Sequence, residues 1–522
     1  MSEIPFSWCK APLGQIAEKI TKGTTPTTNG FSFQKDGINF IKVENLVDGR
    51  ISLETVKDYI SEPAHQAQSR SALKRGDVLF SIAGTIGEIA TVEQIHLPAN
   101  TNQALAIISG FDGAVTAKFL EFQLKSFASR EITGRARGGA MNNISLGDLR
   151  ELTVRVAPTK EQPRIVAKIE ELFSELDEGV ESLTTAREQL KVYRQAVLKH
   201  AFEGKLTADW RAGNPDKLET PEILLSRIRG ERETQYLEEL KDWQFATVAR
   251  RAGGDVDRKP QRVRPLETVT QLAPDVVRIL PAVPESWSWA KLAWLTGGVE
   301  YGTGAKSSKT GTVPVIRMGN LQNGRLDWSD LVFTDDVEEI AQYELNKGDV
   351  LFNRTNSPEL VGKTAIFRGE RQALFAGYLI RVNHNPRIVD GAYLNFFLNA
   401  HVARQYGSSV KTDGVNQSNI NGEKLKGYPF PYCSLAEQKQ IVQRLEERTS
   451  ECDTLIEAVE EQILRADALR QSILKKAFFG QLVPQDPNEE SALVLLDRIR
   501  SEKRNGNSSP KKSKKREKDM VS

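Results

Sequence analysis

The chain has 522 residues, of which 39% are hydrophobic and 27% charged, a composition that excludes wholesale disorder and leaves room for at least two cores. The formal net charge of +2 supplies none of the basic excess that would by itself point to nucleic acid. No apolar run approaches the roughly 20 residues that span a bilayer, and the N-terminal residues lack a signal-peptide stretch, so a cytoplasmic location is expected.

In chain order, residues 1–158 read as a first globular head. Short β-rich runs such as Asn39 to Val43 and Asp77 to Ile82 are separated by Gly, Asn and Asp turns, and a helix is predicted near 116–129. Residues 159–206 form a long helix whose apolar positions return in steps of three and four: Ile165, Ile169, Leu172, Leu176, Leu183, Ala186, Leu190, Tyr193 and Val197. An amphipathic helical segment at 207–249 and a linker at 250–283 follow. The second head, 284–432, precedes a second long helix at 433–482 with a seam of Ile441, Leu445, Cys452, Leu455, Val459, Ala466, Leu469 and Ile473, and polar Arg448 and Gln462 at two seam positions. An amphipathic segment at 483–503 and a basic tail at 504–522, containing KKSKKREK, end the chain.

This order is a duplication. LKRGDVLF at 73–80 recurs as LNKGDVLF at 345–352, IKVENLVDGR at 41–50 as IRMGNLQNGR at 316–325, and Pro5-Phe6-Ser7-Trp8 as Pro284-Glu285-Ser286-Trp287. The helical halves keep one offset of 276, carried by Gln162 and Gln438 and by AFEGKL at 201–206 and AFFGQL at 477–482, whereas offsets in the heads range from 272 to 279. LLSRIR at 224–229 likewise matches LLDRIR at 495–500. The fold class expected is therefore a mixed α/β tandem repeat, two globular heads separated by a pair of long antiparallel coiled-coil helices. At 1.5 Å per residue each helix would reach roughly 60 Å, so the pair would act as a ruler.

Two unlike heads at one separation suit a polymer with a repeat, and duplex DNA presents equivalent groove faces about every 34 Å. Polar loops fall at matching places. In the first head these supply Lys22, Thr24, Thr25, Thr27 and Asn29, then Arg135, Arg137, Asn142 and Asn143. In the second they supply Tyr301, Lys306, Ser307 and Lys309, then Lys411, Asn416 and Gln417, with Arg354 and Asn356 after the second GDVLF strand. Arg and Lys can donate to guanine O6 and N7, and Asn and Gln can pair with adenine N6 and N7. Leu224, Leu225 and Ile228, with Leu495, Leu496 and Ile499, are the partner-contact candidates; packing back on the helical pair is the alternative.

Catalytic motifs were sought without success. Neither Asn214-Pro215 nor Asn385-Pro386 continues into the second proline of an adenine methyltransferase turn. Gly362-Lys363-Thr364 lacks the first glycine of a phosphate loop, because Ser357 stands there. Alignment of the repeats sets Gly362 beside Gly87 at a strand-connecting turn. Cys9, Cys433 and Cys452 are scattered and the five histidines have no paired spacing, so no disulfide and no metal site are expected. Besides a DNA reader, the sequence allows a protein-binding adaptor with duplicated heads, or an enzyme with an unfamiliar site.

In combination, the two GDVLF strands, Glu161-Gln162 and Glu437-Gln438, and RQAVLKHAFEGKL at 194–206 with RQSILKKAFFGQL at 470–482 resemble the specificity subunits of type I restriction-modification systems. The likeness runs over essentially the whole chain; Pro163, where the second copy has Lys439, departs from it. It implies two target-recognition domains and a non-catalytic chain that reads an asymmetric bipartite site in double-stranded DNA, one half per domain. It further implies two modification (methyltransferase) subunits, which methylate adenine, and up to two restriction (endonuclease/translocase) subunits as partners. S-adenosylmethionine, ATP and Mg2+ would then be bound by those partners and no cofactor by this chain.

Overall fold

The computed structural model describes residues 4–47, 49–111, 113–127, 143–251, 263 and 270–506. Arg135, Arg137 and Asn142, most of the expected linker and most of the basic tail lie outside them. The chain divides into two compact units, residues 1–184 with 460–522, and residues 185–459. Each unit therefore combines the head of one repeat with the C-terminal end of the other repeat's long helix.

In the first unit, strands Lys19–Lys22, Leu105–Ser109, Val78–Ser81 and Ile89–Thr91 lie side by side in that order, all antiparallel. A second sheet of Tyr59–Ile60, Ile38–Ile41 and Ala99–Thr101 has one parallel pairing. Cys9–Pro12 pairs with Thr153–Val156 and brings the two ends of the head together. The second unit repeats this plan. Its four-stranded sheet runs Thr296–Tyr301, Leu379–His384, Val350–Asn353 and Thr364–Ile366, and Ser288–Lys291 pairs with Pro429–Tyr432.

The GDVLF motif forms a turn and a strand. Gly76 and Gly348 have φ of +86° and +97°, which glycine adopts without the steric cost a Cβ brings. Asp77 Oδ2 accepts the Lys74 N–H at 2.8 Å and Asp349 Oδ2 accepts that of Asn346 at 2.9 Å, closing the turn before the strand begins. All four residues of Val78–Ser81 and of Val350–Asn353 are buried, which accounts for continuous apolar runs where a one-faced strand would alternate.

Other repeated motifs join head to helix. Trp8 Nε1 donates to Glu161 Oε2 at 2.9 Å and Trp287 Nε1 to Glu437 Oε2 at 2.8 Å, both buried. The adjoining glutamines satisfy loop backbone. Gln162 accepts the Thr116 N–H and donates to Ala114 O and Ala157 O, while Gln438 accepts the Asp390 N–H and donates to Ile388 O and Cys433 O. Gly204 and Gly480 end the long helices at φ of +71° and +67°. A Cβ on Gly204 would sit 2.3 Å from Pro284 Cγ, and one on Gly480 2.2 Å from Pro5 Cγ. The Pro-x-Ser-Trp and Gly signals are thus two halves of one contact, made once in each unit.

The long helices span Glu161–Phe202 and Leu435–Phe478. Pro163 falls in the first turn, where the N–H that proline lacks would have no intrahelical acceptor. Ile165 and Ile169 enter the first unit's core with Ile473, Leu474, Ala477 and Phe478, and Val197, Leu198, Ala201 and Phe202 enter the second unit's with Ile441 and Leu445. Within each unit, then, the start of one long helix and the end of the other share a core, an antiparallel arrangement. Arg470 bonds Asp177 in the first unit, and Arg194 Nη1 meets Asp453 Oδ1 at 2.6 Å in the second.

The seam needs correction between the helix ends. Leu455 and Leu469 are 53% and 49% exposed. The buried and half-buried positions are instead Leu445, Thr449, Cys452, Ile456, Val459, Ile463, Ala466, Arg470 and Ile473. Those steps alternate four and three without a break; Leu445, Cys452, Val459, Ala466 and Ile473 keep their expected places, and Arg448, Leu455, Gln462 and Leu469 lie one position off the inner stripe. In the first long helix Arg194 takes the inner position and Tyr193 is 46% exposed.

The amphipathic segments become helices Pro221–Arg251 and Ala492–Gly506. Leu224 and Ile228, with the half-buried Leu225, pack in the second unit's core, and Leu495, Leu496 and Ile499 pack in the first unit's. These six side chains fix their helices to their own units, the alternative weighed from the sequence. Exposed apolar surface on the same helices comes from Ile223, Leu237, Phe245 and Val248, and from Leu493 and Val494.

Candidate nucleic-acid interface

In both heads the polar loops converge on one end of the four-stranded sheet. There, in the first head, Lys19–Lys22 and Val78–Ser81 finish and Leu105–Ser109 begins, and Lys22 is exposed. The chain turns sharply at Gly23, where a Cβ would lie 2.1 Å from Thr101 O, and Thr24 N donates to Thr101 O at 2.9 Å. Thr25 is half-buried and its hydroxyl bonds Gln103 Oε1. Thr27 and Asn29 are exposed on the short helical turn Pro26–Asn29. Asn143 is exposed too, and the next residue, Ile144, donates its N–H to Ile82 O at 3.0 Å, which brings the end of the second polar loop to the same place.

The second head repeats this backbone. Gly302 replaces Gly23, with its Cβ position 2.2 Å from Phe375 O, and Thr303 N donates to Phe375 O at 2.9 Å. Ile420 N donates to Arg354 O at 2.8 Å as Ile144 N does to Ile82 O, and Arg354 N donates to Tyr378 O at 3.2 Å as Ile82 N does to Ala104 O at 2.8 Å. Lys22 pairs with Ala106 and Tyr301 with Ile380 in equivalent strands. Lys22, Ile82 and Ala104 in one head therefore correspond to Tyr301, Arg354 and Tyr378 in the other.

The second head also has a three-stranded sheet at this end, made of Thr355–Asn356, Ser418–Asn419 and Thr412–Asp413. It turns the predicted loop 411–419 into a hairpin, with Asn416 and Gln417 exposed at its tip beside the fully exposed Val415. Asn356 is half-buried in the sheet, and its Oδ1 accepts the Ser357 N–H at 2.8 Å. Lys411 pairs with Asp413 at 3.1 Å. Hydrogen bonds from Ser418 and Lys411 hold the Asp413 carboxyl below the usual carboxylate range.

Charge at this surface is local. Lys22, Lys306 and Lys309 are exposed and make no ion pair among the described residues, and Ser307 is exposed between the last two. Behind Tyr301, Arg381 donates to Glu300 Oε2 at 2.5 Å and to Asp349 Oδ2 at 3.1 Å. Burial opposes its charge, yet the bonds to Glu300 and Asp349 outweigh burial and keep the guanidinium pKa above its ordinary value. Arg381 therefore braces the strand that carries Tyr301. Sequence reasoning missed Tyr378 and Gln103; lying beside the loops in space, they are reached only through strand pairing, and the contrast of Ala104 with Tyr378 emerges once the two sheets are registered.

Gly362 and Gly87 both take turn conformations, with φ of +87° and +96°, as the repeat alignment predicts. Burial, followed by the charge of Arg404, lowers the Lys363 pKa. No helix among the described residues is long and apolar enough to cross a membrane.

Known proteins share the sequence pattern and the fold. The family model described as the type I restriction modification DNA specificity domain matches residues 5–184 and 301–465, twice taking in most of a head and part of its long helix. The specificity subunit of the type I restriction enzyme EcoKI of Escherichia coli strain K12 is 23% identical over 517 residues, covering 96% of each chain. That of StySPI from Salmonella potsdam is 22% identical over 522 residues, again covering 96% of each. A solved structure reported under the subject of complex assembly and conformational transition of the type I R-M system has the same fold, with a TM-score of 0.63 at 18% identity over 92% of this chain and 99% of the other. The chain belongs to the type I restriction-modification DNA specificity family and is a specificity subunit of that class.

Proposed function

We propose that this subunit reads an asymmetric two-part sequence in double-stranded DNA, one part per head, and directs adenine methylation and restriction by partner subunits. The observation that carries the reading is one backbone platform used twice with different side chains: Lys22, Ile82 and Ala104 in one head, Tyr301, Arg354 and Tyr378 in the other. A shared backbone sets both heads against the duplex in the same way, while the side chains that face the base edges differ, as two unlike half-sites require. Two modification subunits and up to two restriction subunits complete the assembly in this reading, and S-adenosylmethionine, ATP and Mg2+ belong to them. The net charge of +2 is compatible with it, because Lys22, Lys306 and Lys309, exposed and without an ion pair among the described residues, lie on the polar loops of the heads.

Genome-wide mapping of methylated adenines in cells expressing the complete system tests the proposal. It should return one interrupted motif with unlike halves. A continuous motif, or none, would overturn it, and the absence of any sequence preference would favour the adaptor reading.

A further inference from the structure

Three features of Arg354 set it apart from the other cations at the reading ends. Its Nε donates to Gly377 O at 2.9 Å, and its guanidinium carbon lies 5.0 Å from the centre of the Tyr301 ring. That ring is held in turn, because Tyr301 OH accepts the Gly422 N–H at 2.8 Å. Both ends of the Arg354 backbone unit are tied down as well, its N–H to Tyr378 O and its carbonyl to Ile420 N. The residue is half-buried, and its two terminal nitrogens have no protein partner among the described residues. One edge of a planar fork is thus anchored while the other is left free.

That anchoring distinguishes a base reader from a phosphate clamp. A phosphate contact needs charge in roughly the right place, which flexible Lys306 and Lys309 can supply. A guanine contact needs two parallel donors at fixed spacing for O6 and N7, and a pre-ordered guanidinium loses little freedom in making it. The geometry points to Arg354 as the specificity-determining residue of the second head, donating through Nη1 and Nη2 to O6 and N7 of one guanine in the major groove. Exposed Tyr378, bonded through its backbone to Arg354, is placed beside that base. The first head has Ile82 at the equivalent position, so its half-site is read there without a guanine contact. This inference rests on the DNA-reading function proposed above.

The test uses the full chain assembled with its modification subunits, and duplexes in which each guanine of the recognised sequence is replaced singly by 7-deazaguanine, which lacks the N7 acceptor. In the wild-type complex one such replacement, in the half-site assigned to residues 284–432, should weaken binding roughly 5- to 150-fold, the span of one base contact. With Arg354→Met that same replacement should cost nothing further, while penalties in the other half-site persist. If Arg354→Met instead keeps the full penalty of that replacement, Arg354 acts on phosphate and the inference is overturned. A half-site containing no guanine on either strand, or wild-type binding indifferent to every replacement in it, would overturn it with no variant needed. Wild-type binding that shows no sequence preference in either half would instead defeat the DNA-reading function itself.

Discussion

At the residue scale, the repeated signals of the sequence turn out to be joints. Gly204 combines a φ of +71° with a Cβ position 2.3 Å from Pro284 Cγ, so Gly204→Ala meets both backbone strain and a proline ring that cannot swing away. The left-handed conformation alone costs roughly 1–2 kcal/mol, and the clash adds to it. Urea unfolding followed by tryptophan fluorescence should show a loss of at least that size, and Gly480→Ala should behave alike against Pro5. A loss below about 0.5 kcal/mol, the range of ordinary surface substitutions, would mean that the joint gives way freely. His384 supplies a pH-dependent counterpart. Burial holds its imidazole pKa below the ordinary value, opposed in part by a backbone bond at Val382 and by Asp349 and Asp390. As pH falls below about 6.5 the unfolded chain takes up a proton that the folded imidazole resists, so this group's contribution is present above that pH and is lost below it. The stability difference between wild type and His384→Gln should therefore shrink from pH 7.5 to pH 5.5. A difference that grows on acidification would show that the folded histidine is the more easily protonated.

At the element scale, helix existence and helix register were legible to different degrees. Long stretches free of proline beyond Pro163 and the capping glycines mark Glu161–Phe202 and Leu435–Phe478 plainly. The inner stripe was harder to read because polar Thr449 and Arg470 occupy it, while apolar Leu455, Leu464 and Leu469 lie on the exposed side. Periodicity counts apolar residues, and here several of them face water. The hairpin at 411–419 was equally hidden: its strands are two residues long and acquire their partner from Thr355–Asn356, far away in sequence. The register correction has a direct test. Ile456→Ala should cost about 1–2 kcal/mol, less than the 2–5 typical of a fully buried isoleucine, whereas Leu455→Ala, at a side chain 53% exposed, should stay within about 0.5 kcal/mol. Equal losses from the two variants would restore the original seam.

At the scale of the whole molecule, the duplication separates what holds the chain together from what it reads. Joints are repeated closely: Trp8 to Glu161 and Trp287 to Glu437, Pro5 over Gly480 and Pro284 over Gly204. The positions proposed to read DNA keep the backbone and change the side chain, as Ile82 and Arg354 do at one shared hydrogen bond. A head should therefore be exchangeable provided its joints stay behind. Replacing residues 10–155 with the matching segment of another family member, while retaining Pro5, Trp8, Glu161 and Gln162, should change one half of the methylated motif and leave the other intact. The half assigned by the proposal to Tyr301, Arg354 and Tyr378 should be the one preserved, because residues 185–459 form a compact unit with its own core. Methylation mapping of the exchanged system decides the matter: a change in both halves would show that the heads do not read independently, and an unchanged motif would place the reading surface outside the exchanged segment.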